Sequence, residues 1–197
     1  MAAAAYARRS SLILPVNVRR FVEKSYDRGA DAIVLDLEDS VPVQEKASAR
    51  KLVRDSLPLA ARGGAEVLVR VNNDPALLAE DIDASVHPGL DGLAIPKAES
   101  AAQIHGIVAQ IEWLEKSRGL PPGHLRLSLA IETPRGFLAV EEIARSSDRI
   151  ATMSIGASDN RETFKNLLPN CHKVERPLDH KALGKVETLL KKRDVAA

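Results

Sequence analysis

An α/β fold with a parallel sheet is what this sequence predicts, and three observations carry that expectation. Short apolar runs alternate with helix-like segments from Ser11 to Ala157. The runs are rich in Val, Ile and Leu, and several end in a charged residue, as strands do when they deliver side chains to one working end of a sheet. The segment Ala30–Asp39 (ADAIVLDLED) puts Ile33, Leu35 and Leu37 on one strand face and Ala32, Val34, Asp36 and Glu38 on the other. Bulky residues toward covering helices, with small or acidic ones toward an axis, is the pattern of a barrel strand. The alternation implies right-handed crossovers. A (β/α) barrel and an open doubly wound sheet both satisfy it.

The first run is Ser11–Pro15, which the proline terminates. A helix is expected from Val18 to Arg28, stopped by Gly29. After the strand in Ala30–Asp39, Pro42 suits a first helical position, and the helix continues to about Leu57. Gly63 and Gly64 break the chain. Glu66–Val71 (EVLVRV) reads as a third strand with Arg70 near its end. Asn72-Asn73-Asp74-Pro75 is turn chemistry that also caps a helix. A fourth strand lies in Leu90–Pro96, followed by Lys97. Glu99–Ser117 is helical, with Ile104, Ile107, Val108, Ile111 and Leu114 at three/four spacing and Gly119 as the stop. Leu127 to Phe137 (LSLAIETPRGF) is an apolar run that ends in Glu132. Pro134–Arg145 is a fifth helix, and Arg149–Ala157 is a sixth strand leading to Asp159. The expected organisation is a frayed start over residues 1–10, a barrel domain over 11–159, and a divergent helical tail over 160–197. A full eight-stranded barrel takes about 250 residues, so strands seven and eight are not expected here.

Composition excludes several functions. Net charge is +1, which leaves no electrostatic footprint for nucleic acid or an anionic membrane. Aromatic residues are 3% of the chain, too few for a base-stacking platform. No run approaches the roughly 20 apolar residues of a membrane span, and the N-terminus lacks a signal-peptide core. Cys171 is the single cysteine, which rules out an internal disulfide and fits a reducing, cytoplasmic setting. No G-x-G-x-x-G follows the first strand and no Walker lysine loop is present, which lowers the nucleotide-binding readings.

Glu132 and Asp159 are the sharpest candidates for chemistry. Each ends, or just follows, a predicted strand. Two carboxylates completed by waters and a substrate oxygen are a common Mg²⁺ site. Arg70 ends the third strand, where a guanidinium can clamp a carboxylate or offset charge on an enolate oxygen. Glu38 and Asp39 can orient Arg70 or hold metal-bound water. Lys97 is a further cation at the same end. Any one of these carboxylates alone reads more simply as a helix cap or a solvated loop charge, and Arg70 alone as a structural partner of Glu38. The five histidines lack metal spacing, and Cys171 beside His172 reads as an incidental thiol.

Six motifs together carry a family resemblance: RRSSLILPVNVRRF, ADAIVLDLEDSV, VLVRVN, GLAIPKAES, LAIETPRGF and SIGASD. Their order and spacing resemble those of the citrate lyase beta-subunit-like proteins within the HpcH/HpaI aldolase family, over about residues 8 to 159. The resemblance implies a parallel (β/α) TIM-type barrel of the phosphoenolpyruvate/pyruvate-binding kind, here truncated after about six strands. It implies Mg²⁺ dependence and the making or breaking of a carbon–carbon bond beside a carbonyl. The substrate is expected to be an acyl-CoA of citryl-CoA or malyl-CoA type, or a small oxo acid, and the protein a homo-oligomer. By position, Glu132 and Asp159 are the implied metal ligands, with Glu132 also facing substrate. Arg70 is the implied binder of a substrate carbonyl or carboxylate oxygen, and Glu38 and Asp39 support it. Three features depart from the family pattern. Pro15-Val16 stands where a Pro-Gly pair is usual, Ala157-Ser158 replaces an acidic pair, and no family motif is recognisable after Asn160. The missing end of the barrel motivates a second reading, a catalytically impaired homologue acting as an interaction protein whose open edge meets a partner or a second copy. A third is a doubly wound small-ligand binder without metal.

Overall fold

The computed structural model describes residues 8–155. Six strands are joined along it by helical crossovers, the last of which holds two short helices. The strands are β1 (Ser11–Pro15), β2 (Ala32–Asp36), β3 (Glu66–Arg70), β4 (Gly92–Ile95), β5 (Arg126–Ile131) and β6 (Ile150–Ile155). They form one sheet in sequential order, β1-β2-β3-β4-β5-β6, with parallel pairing. Sequential order with helical crossovers is the order of a (β/α) barrel wall, and it excludes the doubly wound arrangement, in which strand order reverses. Among the described residues the sheet ends at β1 and β6 and does not close.

The helices are α1 (Arg19–Glu23), α2 (Lys46–Ala60), α3 (Pro75–Ser85), α4 (Ala101–Ser117), α5 (Pro134–Leu138) and α6 (Val140–Ala144). Two are shorter than their sequence pattern. The Val18–Arg28 segment breaks after Glu23 and resumes as a 3-10 turn over Tyr26–Arg28, with the Ser25 hydroxyl donating to the Val22 carbonyl. The Pro134–Arg145 segment splits at Ala139. By contrast α2 runs three residues past Leu57, with Pro58 inside it, because Leu57 and Ala60 are both fully buried.

The chain divides into two compact units. One holds residues 8–95 and 109–127, the other residues 96–108 and 128–155. In the first, register pairs Ala32 with Glu66, Val34 with Leu68 and Asp36 with Arg70. Side chains of one parity therefore stack in layers up one face. Ala32, Val34 and Leu68 form a buried cluster there, with Ala94 beside it. The other parity, Ile33, Leu35, Leu37, Val67, Val69 and Val71, is fully buried. Helix α2 packs against β3 and α3. Gly92 is required by a close approach: a Cβ there would stand 2.4 Å from the Arg126 carbonyl oxygen.

Candidate functional site

The first cluster forms where β2 and β3 end. Beyond Asp36 the chain turns sharply, and the Asp36 side chain organises that turn. Its Oδ1 accepts the Glu38 N–H at 2.9 Å, and its Oδ2 accepts the Ser40 N–H at 2.9 Å and the Ser40 hydroxyl. Aspartate bonding to backbone two and four residues on is local turn chemistry. The same carboxylate is the register partner of Arg70. Arg70 Nε donates to Oδ1 at 2.6 Å and Nη2 to Oδ2 at 2.7 Å, a two-pronged pair. The Asp36 side chain is 0% exposed and that of Arg70 19%.

The remaining guanidinium nitrogen, Nη1, faces the two acids expected from sequence. It lies 3.4 Å from Glu38 Oε2 and 3.7 Å from Asp39 Oδ2. Glu38 is nearly buried, whereas Asp39 is exposed. Burial opposes ionisation of Asp36, but the bonds from Arg70, Ser40 and the Glu38 and Ser40 N–H groups outweigh it, and its pKa falls below the ordinary carboxylate value. Burial likewise opposes charge on Arg70, and Asp36 first, then Glu38 and Asp39, more than restore it. The result is a permanently charged guanidinium fixed in the plane of its partner.

The second cluster belongs to the other unit. Glu132 follows β5 directly, and Thr133 caps the next helix by accepting the Gly136 N–H at 3.1 Å. The Lys97 N–H donates to Glu132 Oε2 at 3.2 Å, and the Ala98 N–H to the Ala130 carbonyl at 3.0 Å. Lys97 makes the first bond from a left-handed backbone, φ 48°, unusual for a side chain with a Cβ. Gly136 packs on the same loop, and a Cβ on it would lie 2.2 Å from the Ala98 carbonyl oxygen. The loop after β4 thus holds the Glu132 carboxylate through a backbone donor, with Lys97 supplying an N–H in addition to its charge.

Of the residues expected from sequence, Arg70, Glu38 and Asp39 are brought together at one strand end. Glu132 stands at the end of its own strand, and Asp159 lies outside the described residues, as do Cys171, His172 and His180. The residue missed from sequence is Asp36. The strand pattern places it on the inward face without a role, yet it is the chief anchor of Arg70, ahead of Glu38 and Asp39. A gapless alignment of AIVLD with EVLVR sets Asp36 opposite Arg70 and reveals the pair. His105 and His124 contact the Ser146 and Leu90 carbonyls, respectively. Among the described residues no three His, Cys, Asp or Glu side chains cluster to hold a metal, and no helix is long and apolar enough to cross a membrane.

A sequentially ordered parallel sheet with helical crossovers, and charged residues at its strand ends, defines a protein of the TIM-barrel type. Comparison with known proteins narrows the class. The family model described as HpcH/HpaI aldolase/citrate lyase matches residues 9–196, well past the SIGASD motif. The chain belongs to that family. It is 38% identical over 159 residues to the citrate lyase subunit beta of Leuconostoc mesenteroides subsp. cremoris, covering 80% of this chain and 53% of that protein. It is 34% identical over 155 residues to an L-malyl-CoA/beta-methylmalyl-CoA lyase of Cereibacter sphaeroides, covering 77% and 48%. Among solved structures it is similar to the Mycobacterium tuberculosis citrate lyase beta subunit complexed with oxaloacetate and magnesium, at 25% identity and a TM-score of 0.64, over 95% of this chain and 74% of that one. The chain spans about half the length of the curated relatives it matches.

Proposed function

We propose that this chain carries the barrel wall of a Mg²⁺-dependent carbon–carbon lyase acting on an acyl-CoA of citryl-CoA or malyl-CoA type, or on a small oxo acid. The observation that carries the reading is Arg70, held by Asp36 at a strand end and kept charged there. A guanidinium fixed in advance costs little reorganisation when negative charge develops beside it, and such preorganised charge is a large part of catalysis. Arg70 binds a carbonyl or carboxylate oxygen of the substrate and offsets charge on the enolate oxygen as the bond breaks. Asp36 holds its plane, while Glu38 and Asp39 stand beside its remaining nitrogen.

Mg²⁺ takes hard oxygen donors, commonly one or two carboxylates completed by water and substrate. Glu132 fits that chemistry, since its carboxylate follows a strand end and is steadied by the Lys97 N–H. Glu132 would hold the ion together with Asp159, and the ion would polarise the oxo-acid oxygens when bound. A solved relative complexed with oxaloacetate and magnesium supports the use of a divalent metal.

The test is binding of pyruvate or oxaloacetate with and without Mg²⁺, followed by cleavage of citryl-CoA and malyl-CoA. Metal-dependent oxo-acid binding that disappears in Arg70→Met and in Glu132→Ala is the expected result. Oxo-acid and Mg²⁺ affinities that survive Glu132→Ala and Asp159→Ala would show the assignment to be wrong.

A further inference from the structure

Behind the Asp36–Arg70 pair lies a second polar cluster that the proposed chemistry does not use. Lys46 is the first residue of α2. Its Nζ donates to the Leu37 carbonyl at 2.9 Å, the Glu38 carbonyl at 2.8 Å and Asn72 Oδ1 at 2.6 Å. An ammonium has three N–H donors, and here each has one acceptor.

Asn72 is locked in turn. Its Nδ2 donates to the Leu37 carbonyl at 2.9 Å and to Asp81 Oδ2 at 2.7 Å, and its backbone N–H reaches the same oxygen at 2.9 Å. Asp81, fully buried on α3, receives Arg50 Nε from α2 at 2.7 Å. Two helices are thereby tied to the segment that carries Glu38 and Asp39.

Helix stability alone does not account for Lys46. A cation in the first turn of a helix opposes the dipole, so a lysine is a poor choice there on local grounds. What it does instead is fix two consecutive carbonyls of the acidic turn. The geometry points to Lys46 as a positioning residue of the Arg70 site: by holding the Leu37 and Glu38 carbonyls, it sets where the Glu38 and Asp39 carboxylates stand against Arg70. This rests on Arg70 being the substrate-binding cation proposed above.

The full chain, wild type and with Lys46→Met or Lys46→Arg, tests it by nuclear magnetic resonance. Arg keeps the charge but presents a planar fork in place of three tetrahedral donors, and it covers the case in which the methionine variant does not fold. Amide exchange at Glu38 and Ser40 is expected to quicken about tenfold or more in a folded variant, while Val67 and Val69 stay protected. The Arg70 Nε–H resonance, which a purely structural lysine would leave in place, is expected to shift. Pyruvate affinity in the presence of Mg²⁺ is expected to fall about tenfold, the scale of losing a supporting contact behind a site. An unmoved Arg70 resonance with wild-type exchange at Glu38 and Ser40 overturns the inference. Wild-type protein that binds no pyruvate overturns the lyase reading instead, and the resonance and exchange rates then decide the role of Lys46 by themselves.

Discussion

Asp36 and Arg70 are direct register partners on neighbouring parallel strands, and their side chains close the ladder with a two-pronged ion pair at 2.6 and 2.7 Å. The pair is both a structural clasp and the mount of the proposed substrate-binding cation. Removing one partner of a buried pair leaves a charge without its match, which costs about 3–5 kcal/mol in a dry setting. Arg70 keeps some solvent contact and two further acids, so Asp36→Asn is expected to lose about 3 kcal/mol, near the lower limit. Urea unfolding of the variant and the wild type measures it. A loss under about 1 kcal/mol, the range of an exposed pair, would mean that the clasp is solvated.

The same carboxylate predicts a pH effect. The Asp36 pKa is lower in the folded chain than the roughly 3.9 of an unfolded aspartate. Its contribution is therefore complete above about pH 4 and is lost as pH falls through the folded value. Asp36→Asn should unfold with a shallower acid limb than the wild type below about pH 4, and the two should run parallel near neutrality. Denaturant midpoints taken between pH 7 and pH 2.5 check this. Equal slopes throughout would assign the acid sensitivity to other groups.

Much of this arrangement is legible in the sequence, and the exceptions have physical causes. Alternating apolar runs place all six strands, most plainly β2, which is buried along its whole length and therefore has few options but Val, Ile, Leu and Ala. Asp74 is visible as a cap and acts as one, accepting the Ala76 N–H at 2.9 Å. Arg70, Glu38 and Asp39 are visible because polar residues at the end of an apolar run stand out. Asp36 is harder to see, since it lies within the run and its meaning depends on cross-strand register. Lys46 and Asn72 are hidden for a related reason: a lysine at a helix start looks solvated until the fold brings carbonyls to it. Lys97 is least legible of all, because nothing in PKAES announces a left-handed lysine.

Glu132 gives a prediction that separates binding from stability. Its side chain accepts the Lys97 N–H, and its residue is only partly buried. Glu132→Gln keeps the shape and the acceptor oxygen and removes the charge. Mg²⁺ affinity should fall about tenfold or more, as charge removal from an oxygen-donor site requires. Stability without metal should change by about 1 kcal/mol, the scale of a charge-assisted hydrogen bond reduced to a neutral one. Calorimetric Mg²⁺ titration and thermal melting without metal give the two numbers. Unchanged metal affinity would remove Glu132 from the ligand set.

Gly92 tests the packing of the sheet. A methyl group at this position would meet the Arg126 carbonyl oxygen at 2.4 Å and its carbon at 3.1 Å, both backbone atoms that cannot swing aside. Gly92→Ala should therefore destabilise by about 1–3 kcal/mol, the cost of forced overpacking, despite the smaller unfolded-state entropy of alanine. A neutral or stabilising result in a urea melt would show that the two segments can part to admit a methyl group.

Lys97→Gly separates the lysine side chain from its backbone. The left-handed conformation, φ 48°, strains any residue with a Cβ by about 1–2 kcal/mol. Glycine relieves that strain but gains freedom in the unfolded chain, which offsets about 0.4–1 kcal/mol of the benefit. The N–H that reaches Glu132 survives the change, so Mg²⁺ affinity should stay within about twofold of wild type if the backbone donor is what steadies the carboxylate. A large loss of Mg²⁺ affinity in a stable Lys97→Gly protein would instead assign that role to the lysine side chain.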